Sequence, residues 1–159
     1  MKPDRRRGPA LGTTTRTASP EDGDGPTGHP LAKKTWDRVS KVAWKAREQA
    51  FVFGGTKVGA AVLAEDGEVF GGCNVEHRYR SHDIHAEVNA IASMVGSGRR
   101  KLRAIMVVAD KAQFTPCGAC MDWIFQFGGP DALVGFQQKR GDPIQIWKAG
   151  ELMPFYPKA

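Results

Sequence analysis

Hydrophobic and polar residues recur with clear periods from Thr35 onward. Apolar residues at three- and four-residue spacing predict an amphipathic helix that begins there and ends near Phe53. Two short apolar runs, residues 57–64 and 68–75, flank an Asp-Gly turn signal, so we expect an antiparallel β-hairpin. The periodic part of the chain therefore opens with a helix followed by two paired strands.

The remainder of the pattern predicts two more helices and three more strands. We expect a helix over residues 86–95, a buried strand over 102–109, a helix over 117–127, and strands over 132–137 and 143–149. The resulting order is α-β-β-α-β-α-β-β, which indicates an α/β fold. One mixed five-stranded sheet with helices on both faces is the packing that this order favours.

Residues 1–34 differ sharply in composition from the rest of the chain. They are rich in Pro, Gly, Thr and charge, so we predict a disordered basic tail and a single domain over residues 35–159. The tail holds seven Lys or Arg against four Asp or Glu and the domain sixteen against thirteen, so the net charge of +6 divides equally between them. The basic runs at 5–7 and 99–101 suit either phosphate contacts or a solvated surface.

Apolar runs along the chain all fall short of the roughly eighteen residues that span a bilayer. The N-terminus also lacks the apolar segment of a secretory signal. We therefore expect no membrane-spanning segment and a cytoplasmic location. Two of the three cysteines form Cys117-x-x-Cys120, which suits a metal in a reducing compartment better than a disulfide framework.

A set of metal-ligating residues opens the second and third predicted helices. His85 precedes one helix, while Cys117 and Cys120 lie in the first turn of the other, where their i, i+3 spacing puts both sulfurs on one face. The positive end of a helix dipole favours the thiolate form that binds metal. One imidazole and two thiolates suit zinc and leave its fourth tetrahedral position open to water, as in catalytic sites.

Glu87 follows His85 by two residues, close enough to exchange protons with water at the open position without ligating the metal. A structural zinc site has no use for such a carboxylate. The combination of His-x-Glu with Pro-Cys-x-x-Cys is a signature of zinc-dependent deaminases, although each half alone is weak. The alternatives are a structural zinc site and a regulatory dithiol formed by Cys117 and Cys120.

Four motifs in order resemble the cytidine deaminase family. They are Val58-Gly59-Ala60-Ala61, Asn74-Val75-Glu76, His85-Ala86-Glu87 and Pro116-Cys117-Gly118-Ala119-Cys120. The resemblance extends from about residue 36 to 154. It implies a three-layer cytidine deaminase-like fold, a Zn²⁺ cofactor, hydrolytic deamination of a cytosine-type nucleoside with release of ammonia, and assembly as a homotetramer or homodimer.

The same resemblance implies roles for residues around the metal. Asn74 and Glu76 would hold the ribose hydroxyls of a small-molecule nucleoside. The backbone N–H of Ala86 and the carbonyl of Thr115 would read the edge of the pyrimidine ring. An aromatic residue near the C-terminus, Phe155 or Tyr156, would reach the site of a neighbouring subunit.

Three departures from the family pattern predict a reshaped pocket. Thr56-Lys57 stands where the family has Phe-Pro, Arg80 where it has Tyr, and Met121 where it has Arg. Cytosine nucleoside analogues such as antibiotics are therefore candidate substrates beside cytidine and deoxycytidine.

Two other functions remain open at this point. The basic tail and the arginine clusters suit a deaminase acting on cytosine or adenine in RNA or single-stranded DNA, which salt-sensitive oligonucleotide binding would favour. A non-catalytic zinc module is the other alternative, and Glu87 argues against it. We interpret Cys73 as a core residue, and His77 and His82 as loop residues at the rim of the site.

Overall fold

The computed structural model describes residues 31–112 and 114–157. Its helices and strands are α1 (Lys33–Glu48), β1 (Val58–Ala64), β2 (Val69–Cys73), α2 (Ala86–Gly96), β3 (Leu102–Ala109), α3 (Gly118–Gly128), β4 (Leu133–Gln137), β5 (Gln145–Lys148) and α4 (Ala149–Leu152). A short 3₁₀ helix covers Arg80–His82. The predicted order of helices and strands is confirmed, with a short fourth helix added at its end.

The first helix differs from its prediction at both ends. It begins at Lys33, inside the segment predicted as tail, and Leu31 before it is buried, while residues 1–30 lie outside the described residues. The predicted end near Phe53 is wrong, because the helix stops at Glu48. The chain then turns to pair with a later segment: Phe51 N–H donates to the carbonyl of Asn74 at 3.1 Å.

The five strands form one mixed sheet in the order β2-β1-β3-β4-β5. The β3–β4 pair is parallel and the other three pairs are antiparallel. Gly67 closes the predicted hairpin in the left-handed region, with φ of 88°, which glycine adopts without steric cost. The described residues include no helix with both the length and the apolar character needed to cross a bilayer.

Helices cover both faces of the sheet, as predicted. Alternate residues of the central strands point to opposite sides, so each face has its own core. The strand residues packed with α1 are Ala61, Leu63, Ala104, Met106 and Val108. Those packed with α2 and α3 include Ala60, Val62, Ile105, Val107 and Val134.

The register of β1 brings the ends of its two neighbours to one edge of the sheet. Gly59 lies opposite Cys73, the last residue of β2, and Val58 lies opposite Ala109, the last residue of β3. The segments that leave β2 and β3 therefore emerge on the two sides of β1 at the same edge. The helices that follow these strands, α2 and α3, begin there.

A close approach at Gly72 sets the distance between α2 and the sheet. A Cβ added at this glycine would lie 2.3 Å from the backbone nitrogen of Ala90 and 2.7 Å from the carbonyl oxygen of Ala86. Both atoms belong to the helix backbone, which a rotamer change cannot move aside. Only a glycine here lets α2, and with it the His85–Glu87 segment, lie at its observed depth.

We expect Gly72→Ala to lower the free energy of unfolding by about 3 kcal/mol or more, at the upper end of overpacking costs. The adjacent Gly71→Ala is the matched control, because the closest contacts of the Cβ there would be side-chain atoms, the nearest being a methyl carbon of Val42 at 3.1 Å on the opposite face. Urea denaturation of the two variants measures the difference. Equal stabilities would contradict the packing described for α2.

Candidate metal centre and active site

The N-termini of α2 and α3 carry the three predicted metal ligands. His85 is the N-cap residue of α2, Cys117 is the N-cap residue of α3, and Cys120 lies in the first turn of α3. Each N-cap residue has extended backbone dihedral angles, so its side chain projects from the start of its helix. The prediction that two helix starts converge is confirmed by the distances between the ligand atoms.

These distances match a tetrahedral zinc site. His85 Nδ1 lies 3.3 Å from Cys120 Sγ and 3.4 Å from Cys117 Sγ, and the two sulfurs are 3.6 Å apart. Zinc–ligand bond lengths in a regular tetrahedron require about 3.5 Å between nitrogen and sulfur and about 3.8 Å between sulfurs. The three residues are therefore positioned to bind a metal ion, and zinc suits their donor atoms.

Burial changes the electrostatics of the thiol pair. Cys117 is exposed and Cys120 is buried. Burial raises the pKa of the Cys120 thiol, and the nearby carboxylate of Glu87 raises it further. The helix dipole expected to favour the thiolate is thus opposed at Cys120, so the thiolate form there depends on the positive charge of a bound cation.

Glu87 lies in the first turn of α2 with only 4% of its surface exposed. Burial raises the pKa of its carboxyl, and contacts with the His85 ring and the Cys120 thiol act in the opposite direction. A shielded carboxyl with a raised pKa holds a proton more readily than a solvated one, which suits a group that accepts and returns protons. Glu87 lies beside His85 and Cys120, and its role as a proton carrier stays a prediction.

Ala86 and Thr115 flank the metal ligands along the chain. Ala86 is the first residue of α2, and the N–H groups of a first turn have no carbonyl partner within their helix. Thr115 is exposed in the segment that leads into α3, followed by the buried Pro116. A free backbone donor and a backbone acceptor thus lie on the two segments that carry the metal ligands.

Asn74 and Glu76 lie on a ribbon of extended chain next to the metal ligands. Val75, between them, pairs with Phe51 on one side and with Ile84 on the other. Val75 N–H donates to the carbonyl of Ile84 at 2.9 Å, and the reverse bond is 3.0 Å. Because His85 directly follows Ile84, this pairing places the predicted sugar ligands beside a metal ligand.

The side chains of both predicted sugar ligands are engaged by protein groups. Asn74 Oδ1 accepts from Val58 N–H at 2.8 Å, and Asn74 Nδ2 donates to the carbonyl of Thr56 at 3.0 Å. One of the two amide hydrogens of Asn74 therefore remains for another acceptor. Glu76, which is buried, accepts from Phe53 N–H at 2.6 Å and forms an ion pair with Arg80.

Arg80 is the functional candidate that sequence reasoning missed. Its guanidinium lies beside Glu76, and this pairing holds the pKa of the Glu76 carboxyl below its usual range. The sequence showed Arg80 only as a departure from a family pattern. The i, i+4 spacing of a glutamate and an arginine was the available signal, but i, i+4 pairing is expected on helices and this segment is predominantly a loop.

The remaining predictions near the metal centre concern a cysteine, two loop histidines and a methionine. Cys73, interpreted from the sequence as a core residue, is only partly buried at the end of β2, and the group of possible metal ligands among the described residues does not include it. His77 and His82 are exposed and lie with their rings 5.0 Å apart on the loop before His85. Met121 lies in α3 and is 3% exposed in the core, so the position where the family pattern has an arginine is apolar and buried here.

Comparison with known proteins agrees with this geometry. The family described as "Cytidine and deoxycytidylate deaminase zinc-binding region" matches residues 33–136. Cytidine deaminase from Sporosarcina psychrophila is 40% identical over 112 residues, which cover 69% of this chain and 82% of that protein. Cytidine deaminase from Mycobacterium tuberculosis (strain ATCC 25618 / H37Rv) is 29% identical over 121 residues, covering 75% of this chain and 86% of the relative.

Solved structures show the same relationship. The crystal structure of cytidine deaminase from Burkholderia pseudomallei has a TM-score of 0.69 and 35% identity, covering 74% of this chain and 95% of that chain. The crystal structure of cytidine deaminase from Mycobacterium tuberculosis has a TM-score of 0.65 and 28% identity, covering 76% and 94%. The matched zinc-binding region includes all three metal ligands and Glu87. This chain is a member of the cytidine and deoxycytidylate deaminase family, a zinc-dependent aminohydrolase.

Proposed function

We propose that this protein removes the amino group of a cytosine-type nucleoside by hydrolysis and releases ammonia. The substrate is cytidine, deoxycytidine or an analogue of them. The observation that carries the proposal is the convergence of His85, Cys117 and Cys120 around one point with the buried carboxyl of Glu87 beside them. The relatives named cytidine deaminases, which align along most of their own length, support a nucleoside as the substrate.

His85, Cys117 and Cys120 would hold the zinc ion, which supplies the positive charge that lowers the pKa of a bound water to about 7. Glu87 accepts a proton from the water that attacks ring carbon C4 and donates a proton to the adjacent ring nitrogen. It then transfers the remaining hydroxyl proton to the departing amino group, so that ammonia leaves and a carbonyl forms at C4. Burial of Glu87 keeps bulk water away from these proton transfers.

Backbone groups beside the ligands suit the edge of a cytosine ring. The N–H of Ala86 donates to the ring carbonyl oxygen, and the carbonyl of Thr115 accepts from the amino group that will leave. These two contacts require both a carbonyl and an amino group on the ring, which cytosine carries. The remaining amide hydrogen of Asn74 and the carboxylate of Glu76 bind sugar hydroxyls.

For assembly we propose a homotetramer in a reducing compartment such as the cytoplasm. Phe155 is 95% exposed, although the neighbouring Tyr156 is anchored by stacking on Phe125 with 4.1 Å between ring centroids. An exposed aromatic ring held at the end of an anchored segment is suited to burial against another subunit. Reducing conditions keep Cys117 and Cys120 available as metal ligands.

Zinc-loaded protein is expected to release ammonia from cytidine and deoxycytidine. A spectrophotometric ammonia assay across cytidine, deoxycytidine, a cytosine antibiotic, adenosine and a cytosine-containing oligonucleotide tests this expectation. Turnover of the oligonucleotide alone would replace the nucleoside proposal with a nucleic acid substrate.

Glu87→Gln should retain zinc and fold but lose at least about a hundredfold in kcat, because an amide cannot carry the transferred protons. The matched control is Glu68→Gln, which makes the same change at an exposed position on the hairpin. Zinc content, thermal unfolding and kcat are measured on both variants. Substantial activity in Glu87→Gln would remove Glu87 from the reaction.

Cys117→Ala should lose bound zinc and activity together, since two protein ligands hold zinc far more weakly than three. Cys73→Ala serves as the control, because Cys73 lies outside the metal-ligand group. Zinc is quantified by atomic absorption after dialysis against a weak chelator. Full zinc content in Cys117→Ala would place the metal at other residues.

A further inference from the structure

We propose that Arg80 is a positioning residue that orients the Glu76 carboxylate for recognition of the sugar hydroxyls. This inference rests on the proposed function and extends it to substrate specificity. It concerns the segment between the predicted sugar ligands and the metal ligand His85, which differs here from the family pattern.

Arg80 contacts the Glu76 carboxylate through two nitrogen–oxygen pairs. Arg80 Nη1 lies 2.8 Å from Glu76 Oε2, and Arg80 Nη2 lies 3.2 Å from Glu76 Oε1. The planar guanidinium fork therefore meets both oxygens of the carboxylate, an arrangement that fixes the plane of the carboxylate as well as its charge. A single-point cation such as lysine cannot impose this orientation.

The rest of the surroundings also hold Glu76 in place. Phe53 N–H donates to Oε2 at 2.6 Å. A Cβ on Gly55 would lie 2.1 Å from Oε1, so the carboxylate fills the space that a side chain at Gly55 would need. Only 6% of Glu76 is exposed, and its orientation is set before a substrate binds.

Arg80 is itself held by a second carboxylate. Asp83 Oδ2 lies 3.0 Å from Arg80 Nε, and Asp83 Oδ1 accepts from His77 N–H at 2.7 Å. The pairing of Val75 with Ile84 closes the loop that contains these residues. The closed loop therefore keeps the guanidinium beside Glu76 although the Arg80 side chain is 62% exposed.

An oriented and ionised carboxylate accepts a hydrogen bond from a sugar hydroxyl without first losing rotamer freedom. Without Arg80, a buried Glu76 lacks its positive partner and either turns away or takes up a proton, and a protonated carboxyl is a poorer acceptor. The loss should therefore appear in the binding of sugars that carry hydroxyls. The proton transfers at Glu87 do not involve Arg80.

The test compares Arg80→Met with wild type on cytidine and on 2′,3′-dideoxycytidine, which lacks both ring hydroxyls. We expect KM for cytidine to rise roughly tenfold or more with little change in kcat, as for loss of a charge-assisted contact. KM for the dideoxy substrate should stay unchanged. Arg80→Lys should recover only part of the affinity, because it restores charge without the fork.

Arg78→Met is the matched control, since it removes the same charge from the same loop at an exposed residue for which the described part of the chain shows no ion pair. It should leave both KM values unchanged. Zinc content and thermal unfolding of every variant are compared with wild type. Combining Arg80→Met with Glu76→Gln should raise KM no further than Glu76→Gln alone, because Arg80 acts through Glu76.

An equal rise in KM for both substrates in Arg80→Met would overturn the inference, because it would indicate a merely structural role. An unchanged KM for cytidine in this variant would overturn it as well. Absence of ammonia release by wild type from every nucleoside of the panel given under the proposed function would instead refute that function. In that case calorimetric binding of the same two nucleosides decides: weaker cytidine binding by Arg80→Met supports the positioning role, and equal binding refutes it.

Discussion

The meeting of two helix N-termini at one edge of the sheet is the constraint on which the rest of this structure depends. Three potential ligand atoms at the starts of α2 and α3 lie within 3.6 Å of one another, so a shift of either helix would separate them. The register of β1 with β2 and β3 brings the two helices to this edge. The glycine at position 72 then sets how deeply α2 lies on the sheet.

Without a bound cation, burial at the metal centre disfavours the negatively charged forms of Glu87 and Cys120. The interior position raises the pKa of both Glu87 and the Cys120 thiol, which disfavours two neighbouring anions in the protein alone. A divalent cation reverses this balance, since it stabilises the thiolate directly and lowers the cost of the nearby carboxylate. Metal binding is therefore coupled to deprotonation of these side chains.

The surroundings of Glu76, the proposed sugar ligand, differ from those of Glu87. Glu76 and Glu87 both have little exposed surface, but Arg80 lowers the pKa of the Glu76 carboxyl whereas burial raises the pKa of the Glu87 carboxyl. A carboxylate that remains charged serves as a hydrogen-bond acceptor, and one whose pKa is raised serves as a proton carrier. One short stretch of chain thus holds two carboxyl groups whose pKa values are shifted in opposite directions.

The sequence by itself determined the three longer helices, the strands and the candidate metal ligands, because each is encoded by local period or spacing. The third strand has the predicted bounds of 102–109, and Cys117 and Cys120 lie at i, i+3 at the start of one helix, positioned to bind a metal ion. Only the tertiary structure decided where α1 ends, since pairing of Phe51 with a segment 24 residues later competes with the helical pattern. Likewise, local sequence could not reveal the partner of Glu76, the close approach at Gly72 or the raised pKa of Glu87, because all three depend on which distant atoms the fold brings into contact.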